Sequence, residues 1–323
     1  METTRQVPVS GGSVDVRIGG RSGTALVFVH YWGGSADTWN DVLAHLPSEQ
    51  RTVRFDQRGW GGSRALPGPY HLEQLADDLT RVVDACVPGP FVLVGHSMGG
   101  KVSQLVAGRR PAGLSGVFLV APAPPEPPAT VTEEYRHGLS HAYDSPETVR
   151  HALDHVLTAT PLSETVRARA ERDSLAAGCA ARQEWPLRGI AQDITRTVHG
   201  IAAPVTVLAA ENDVVEPPSV LHQHLLPHIP GATLTTVPEV GHLIPVEAPG
   251  AVAKALGEFV ASLDGTRERR RTATTNWRAG PYGSDGPVRG GENPRIGPGV
   301  SRMGDQWGGR ARWGKNAHTA RTT

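Results

Sequence analysis

Apolar residues recur along this chain with two periods, and the alternation between them predicts most of the elements. Ala25-Leu26-Val27-Phe28-Val29 is apolar without interruption, as expected of a strand buried on both faces. Similar runs at residues 91–94, 114–120 and 205–209 predict further buried strands, with two more at 51–55 and 233–237. Residues 7–10 and 14–18 alternate around Gly11-Gly12-Ser13, which reads as a hairpin. Between the strands the period becomes helical. Leu72, Leu75, Ala76, Leu79, Val82, Val83 and Cys86 form one stripe over 72–87. Shorter helices are predicted at 37–46, 218–226 and 249–263. Strands separated by helices predict an α/β fold, with a mostly parallel, doubly wound sheet.

The alternation breaks once. Residues 121–128 are Pro-rich, and 130–199 read as short helices without a buried strand run. A helical insertion between sheet strands reads as a cap or lid. The expected organisation is a core of 1–122 and 200–264, a cap over 123–199, and a tail from 265. The tail has no apolar periodicity and holds 12 of the 38 glycines, so it is expected to be disordered. Its Arg, Gly and Trp residues could bind RNA weakly, but a nonessential extension is the simpler reading.

The zero net charge conceals an asymmetry. Of 32 basic and 32 acidic residues, twelve basic and four acidic lie after Asp264, so the tail is +8 and the body −8. Nothing in the body suggests nucleic acid. Cys86 and Cys179 have no metal-ligand spacing and read as ordinary buried or half-buried thiols. Neither a signal-like N-terminus nor a run long enough to span a membrane is evident, so a soluble, cytoplasmic protein with no membrane partner is the default.

The chemistry centres on Gly95-His96-Ser97-Met98-Gly99-Gly100, directly after a predicted strand. Gly-x-Ser-x-Gly between strand and helix is the pattern of a strained turn that exposes a serine, with small neighbours letting the two elements approach. Ser97 is the candidate nucleophile and requires a general base. His242, in a short loop before the last helix, is the best of the 14 histidines. His96 adjoins the serine but should point elsewhere, and His30 should brace the loop after its strand. His222, His224 and His228 read as solvated rather than as a metal site, because their spacing does not put all three on one helix face. Asp213, just past a buried strand, is the candidate acid; Glu211 and Glu216 on the same loop are alternatives. Asp56 reads as a structural carboxylate holding the 58–63 loop. Oxyanion donors are expected from the Met98 amide and from the Trp32 amide, with Tyr31 as second choice for the latter.

Together these residues resemble the α/β-hydrolase fold superfamily over about residues 5–264. Gly-His-Ser-Met-Gly-Gly, Asp56-Gln57-Arg58-Gly59-Trp60-Gly61-Gly62-Ser63 and Gly241-His242 look like its esterase, haloperoxidase-like and C–C hydrolase branch. That branch usually has His-Gly where this chain has His30-Tyr31, so the loop must accommodate a bulky side chain. Serine at 97 argues against the dehalogenase and epoxide-opening activities, which use aspartate. The resemblance implies an acyl-enzyme on Ser97 and a small or medium ester, thioester or lactone as substrate, with no metal or organic cofactor. Perhydrolase or C–C bond hydrolase chemistry on the same residues and a noncatalytic ligand receptor are the alternatives.

Overall fold

The computed structural model describes the backbone of residues 2–278 and the side chains of 2–265. Eight strands, β1 (Thr3–Val9), β2 (Gly12–Gly19), β3 (Ser22–Val29), β4 (Gln50–Phe55), β5 (Phe91–His96), β6 (Leu114–Val120), β7 (Val205–Ala210) and β8 (Thr233–Val237), form one sheet in the order β1-β2-β4-β3-β5-β6-β7-β8. Only β2 runs against the rest, through its antiparallel pairing with β1 and β4. Every expected strand is present, and the sheet is mostly parallel and doubly wound.

The helices are α1 (Asn40–Ala44), α2 (Leu72–Cys86), α3 (Met98–Gly108), α4 (Glu133–Leu139), α5 (Pro146–Ala152), α6 (Glu164–Ala176), α7 (Cys179–Leu187), α8 (Thr195–Val198), α9 (Pro218–His224), α10 (Ile244–Glu247) and α11 (Pro249–Arg278). The unbroken apolar strands follow from packing on both faces. Ala25, Val27 and Val29 of β3 join a core with the α2 stripe and with Met98, Val102 and Leu105 of α3. Leu26 and Phe28 point the opposite way, into a second core with Val252, Leu256 and Phe259 of α11. Gly116 of β6 leaves the space into which Phe259 and Leu263 pack; a Cβ there would lie 2.7 Å from Phe259.

Two expectations are corrected. The last helix does not stop near Leu263 but runs to Arg278, into the stretch expected to be disordered. Arg and Glu are good helix formers, and extending a helix already packed on the sheet avoids the cost of nucleation. Residues 279–323, the rest of the expected tail, lie outside the described residues. Cys179 is exposed rather than half-buried; both cysteines are free. Residues to 275 form one compact unit, and 276–278 belong to a second, otherwise outside the described part. Among the described residues, no helix is long and apolar enough to cross a membrane, and no strand lies between β6 and β7.

Candidate active site

Ser97 occupies the turn between β5 and α3 with φ 53° and ψ −119°, a conformation that non-glycine residues rarely adopt. The surrounding main chain holds it there. Its N–H donates to the Val120 carbonyl at 3.1 Å, and its own carbonyl accepts from Ala123 N–H at 3.2 Å. The flanking glycines permit the close approach. A Cβ on Gly99 would lie 2.5 Å from the carbonyl oxygens of Val29 and His30, and one on Gly95 would lie 2.4 Å from Ser103 Oγ.

The sheet topology brings β5 and β7 to opposite sides of β6, so their C-terminal loops face one another. His242 Nε2 lies 2.9 Å from Ser97 Oγ, and His242 Nδ1 donates to Asp213 Oδ2 at 2.8 Å. The other Asp213 oxygen accepts from the N–H groups of Val215 and Glu216, at 2.8 and 2.9 Å. Burial disfavours the Asp213 carboxylate, but the His242 charge and hydrogen bond, with those two amides, outweigh it and hold its pKa below the ordinary value. Serine, histidine and aspartate are each less than a tenth exposed.

The alternative acids lie elsewhere. Glu211 accepts from the Glu239 amide at 2.9 Å. Glu216 makes no bond to His242. Asp56 accepts from Gly62 and Ala36 amides, both at 2.7 Å, and so anchors the 58–63 loop as expected. His30 also braces: its Nδ1–H donates to the Tyr31 carbonyl at 2.7 Å, and Nε2 accepts from the Gln57 amide at 3.0 Å. His222 is exposed, whereas His224 and His228 are half-buried and share Glu126 at 3.0 and 3.2 Å; these two are therefore not freely solvated. Among the described residues, no group of His, Cys, Asp and Glu could hold a metal.

The bulky Tyr31 requires no strained backbone. Gly33, two residues on, takes the positive φ of 101° instead. The Tyr31 ring is buried, 5.1 Å from the His96 ring, and Gly34 makes room for it. Trp32 stacks on Tyr143 at 4.1 Å, and its indole N–H donates to the Arg182 carbonyl at 2.9 Å. Among the described residues, the main-chain N–H groups of Tyr31, Trp32 and Met98 donate to no protein acceptor. Met98 also opens α3, where the helix dipole favours negative charge.

Several residues of the site carried no sequence signal. His96 adjoins Ser97 and supports His242: its Nε2–H donates to the His242 carbonyl at 2.9 Å. Burial, followed by the nearby His242, lowers its pKa to about 3, so it is the neutral tautomer carrying that proton. Asp173 and Ser174 of α6 reach the loop after β3. Ser35 Oγ donates to Asp173 at 2.6 Å, and Ser174 Oγ donates to the Gly33 carbonyl at 3.1 Å. A cavity of about 490 Å³ opens at Ser97 and His242. Its remaining wall comes largely from residues 135–190, including Tyr143 and Trp185.

The chain matches the model of the alpha/beta hydrolase family over residues 26–255. A bifunctional esterase/perhydrolase of Acinetobacter calcoaceticus is 26% identical over 261 residues, covering 76% of this chain and 94% of that protein. A thermophilic esterase from Thermogutta terrifontis superposes with a TM-score of 0.68 at 24% identity, over 81% of this chain and 99% of its own. The enol-lactonase from Burkholderia xenovorans LB400 superposes with a TM-score of 0.69 at 21% identity, over 80% and 100%. These two structures share the fold. The chain therefore belongs to the alpha/beta hydrolase family.

Proposed function

We propose that this hydrolase cleaves a small or medium carboxylic ester, thioester or lactone through an acyl-enzyme on Ser97. The observation carrying the proposal is the hydrogen-bonded series Ser97–His242–Asp213, open at its serine end to a largely apolar cavity. Ser97 Oγ attacks the acyl carbonyl carbon while His242 Nε2 takes the hydroxyl proton. Asp213 keeps the imidazole in the tautomer with Nε2 free and stabilises the imidazolium. The oxyanion forms between the Met98 and Trp32 amides, whose lack of internal partners leaves them free to donate. Collapse breaks the acyl C–O or C–S bond, and His242 returns the proton to the leaving group. Water, deprotonated by His242, then attacks the acyl-enzyme and releases the acid.

The helices of 123–199 act in this reading as a cap that supplies the substrate wall. Hydrogen peroxide in place of water in the second step would give a peracid. The esterase/perhydrolase relative makes that a second reading of the same residues. The test uses p-nitrophenyl butyrate and a fluorophosphonate probe. Wild type should turn over the ester and be labelled at Ser97, and Ser97→Ala should lower turnover at least about 10³-fold and abolish labelling. Failure of wild type in both assays overturns the proposal; peracid formation from a short acid and peroxide would add the second reading.

A further inference from the structure

The cavity wall is mostly hydrocarbon and aromatic, from residues such as Trp32, Leu139, Tyr143, Val156 and Trp185. Glu216 interrupts it with a buried carboxyl. The residue is 5% exposed and lines the same cavity as Ser97 and His242. Its main chain is tied to Asp213, because its N–H donates to Asp213 Oδ1 at 2.9 Å. The carboxyl itself has no hydrogen-bond or ion-pair partner among the described residues. It plays no part in the chemistry above, since Asp213 already occupies His242 Nδ1.

Because Glu216 lines the cavity, its carboxyl is placed where a ligand can contact it. Its protonation state selects the ligand. Burial, and then the Asp213 carboxylate, push its pKa well above the ordinary value; Lys101 on α3 opposes them and is outweighed. Tyr135 on α4 also feels the charges of Glu216 and Asp213, and His242 lines the same cavity. A neutral carboxyl presents an O–H donor to the cavity. Binding through it breaks no internal bond, so the whole gain goes into recognition. A plain hydrocarbon chain would instead bury the group unpartnered, which is how a polar group in a pocket rejects the analogue lacking its partner.

We propose that Glu216 is the specificity-determining residue of the cavity, donating a hydrogen bond to a second oxygen, a ketone or ether, of the ester bound at Ser97. The inference rests on the acyl-enzyme reading above. It is tested on the full chain with p-nitrophenyl pentanoate and hexanoate against their 4-oxo and 5-oxo analogues, in wild type, Glu216→Gln and Glu216→Leu. At least one oxo ester should exceed its parent about tenfold in kcat/KM, mainly through KM. Glu216→Leu should bring that ratio to about 1, whereas Glu216→Gln, whose amide N–H still donates, should keep most of it.

Should the leucine variant not fold, the wild-type pH profile decides. The oxo-to-parent ratio must fall as pH rises and Glu216 ionises, because the ratio cancels every effect common to both esters. Turnover and Ser97 labelling without any oxo preference overturn this inference alone. So does a ratio that survives Glu216→Leu or stays constant with pH. Loss of the preference in Glu216→Gln also overturns it, because the amide N–H that replaces the carboxyl O–H still donates. Absence of both turnover and labelling overturns the Ser97 reading, and this inference with it.

Discussion

The C-terminal edge of the sheet and the helical stretch between β6 and β7 both face one cavity, but they are held in place differently. At the sheet edge the constraints are main-chain ones. Ser97 is fixed by bonds to Val120 and Ala123, Asp213 by two consecutive amides, and Gly99 by carbonyls 2.5 Å from where a Cβ would stand. The helical stretch has main-chain bonds to the core, from Gly178 N–H to the Gly59 carbonyl and from Leu243 N–H to the Leu157 carbonyl, but is attached mainly through side chains: Trp32 to the Arg182 carbonyl, Ser35 to Asp173, Ser174 to the Gly33 carbonyl, and Glu247 to the Ala159 and Thr160 amides. Main-chain constraints fix the reacting atoms closely. Side-chain attachments can be exchanged one at a time, so the cavity wall can change without moving the serine.

Substitutions on the two sides test this contrast. The largest effect is expected for Asp213→Asn, which should lower kcat for p-nitrophenyl butyrate by about 10²–10⁴ while circular dichroism stays native, because the wrong histidine tautomer is favoured. Retention of full activity would move the acid role elsewhere. Gly99→Ala should come next, with a loss of about 1–3 kcal/mol in denaturant melts and a collapse of activity, because rigid backbone cannot yield to the new methyl. Asp173→Ala should cost less, about 1–2 kcal/mol, and raise KM more than it lowers kcat. Equal losses in kcat for these two variants would refute the division of labour.

The smallest effect concerns pH. His96 is neutral in the folded state, with a pKa of about 3 against an ordinary 6.5, so the unfolded chain binds the extra proton first. Its contribution is fully present above about pH 6.5 and declines as pH falls from there toward about 3. Asp213, whose pKa is depressed, loses its contribution at lower pH, below the ordinary carboxylate range. His96→Gln should flatten the Tm profile between about pH 6.5 and 4 without altering its neutral-pH shape.

The contrast also explains what was legible in advance. Strands buried on both faces and the stripe on α2 are periodic, so eight strands and their order along the chain could be read directly. Ser97, Asp213 and His242 were legible as candidates because each follows the end of a predicted strand, where the fold puts its loops. The bracing roles of His30 and Asp56 followed from the same placement. Asp173, Ser174, Tyr143 and the His96 bond to His242 were not legible, since each joins residues far apart in sequence with no local spacing to mark them. The end of α11 was missed for a different reason. Apolar period marks where a helix packs, not how far an existing helix extends.

The order of residues alone therefore determined an α/β chain with a serine at a strained turn, an aspartate and a histidine on loops that can reach it, and a helical interruption of the sheet. These depend on local pattern and on the restricted conformations of short glycine-rich turns. Only the tertiary structure decided that Tyr31 turns inward beside His96, that α6 clamps the loop after β3, and that Glu216 lines the cavity with its carboxyl unpartnered. Burial and partner are properties of the assembled fold. A carboxyl three residues from Asp213 is as eligible in the sequence, until one meets a histidine and the other lines the cavity.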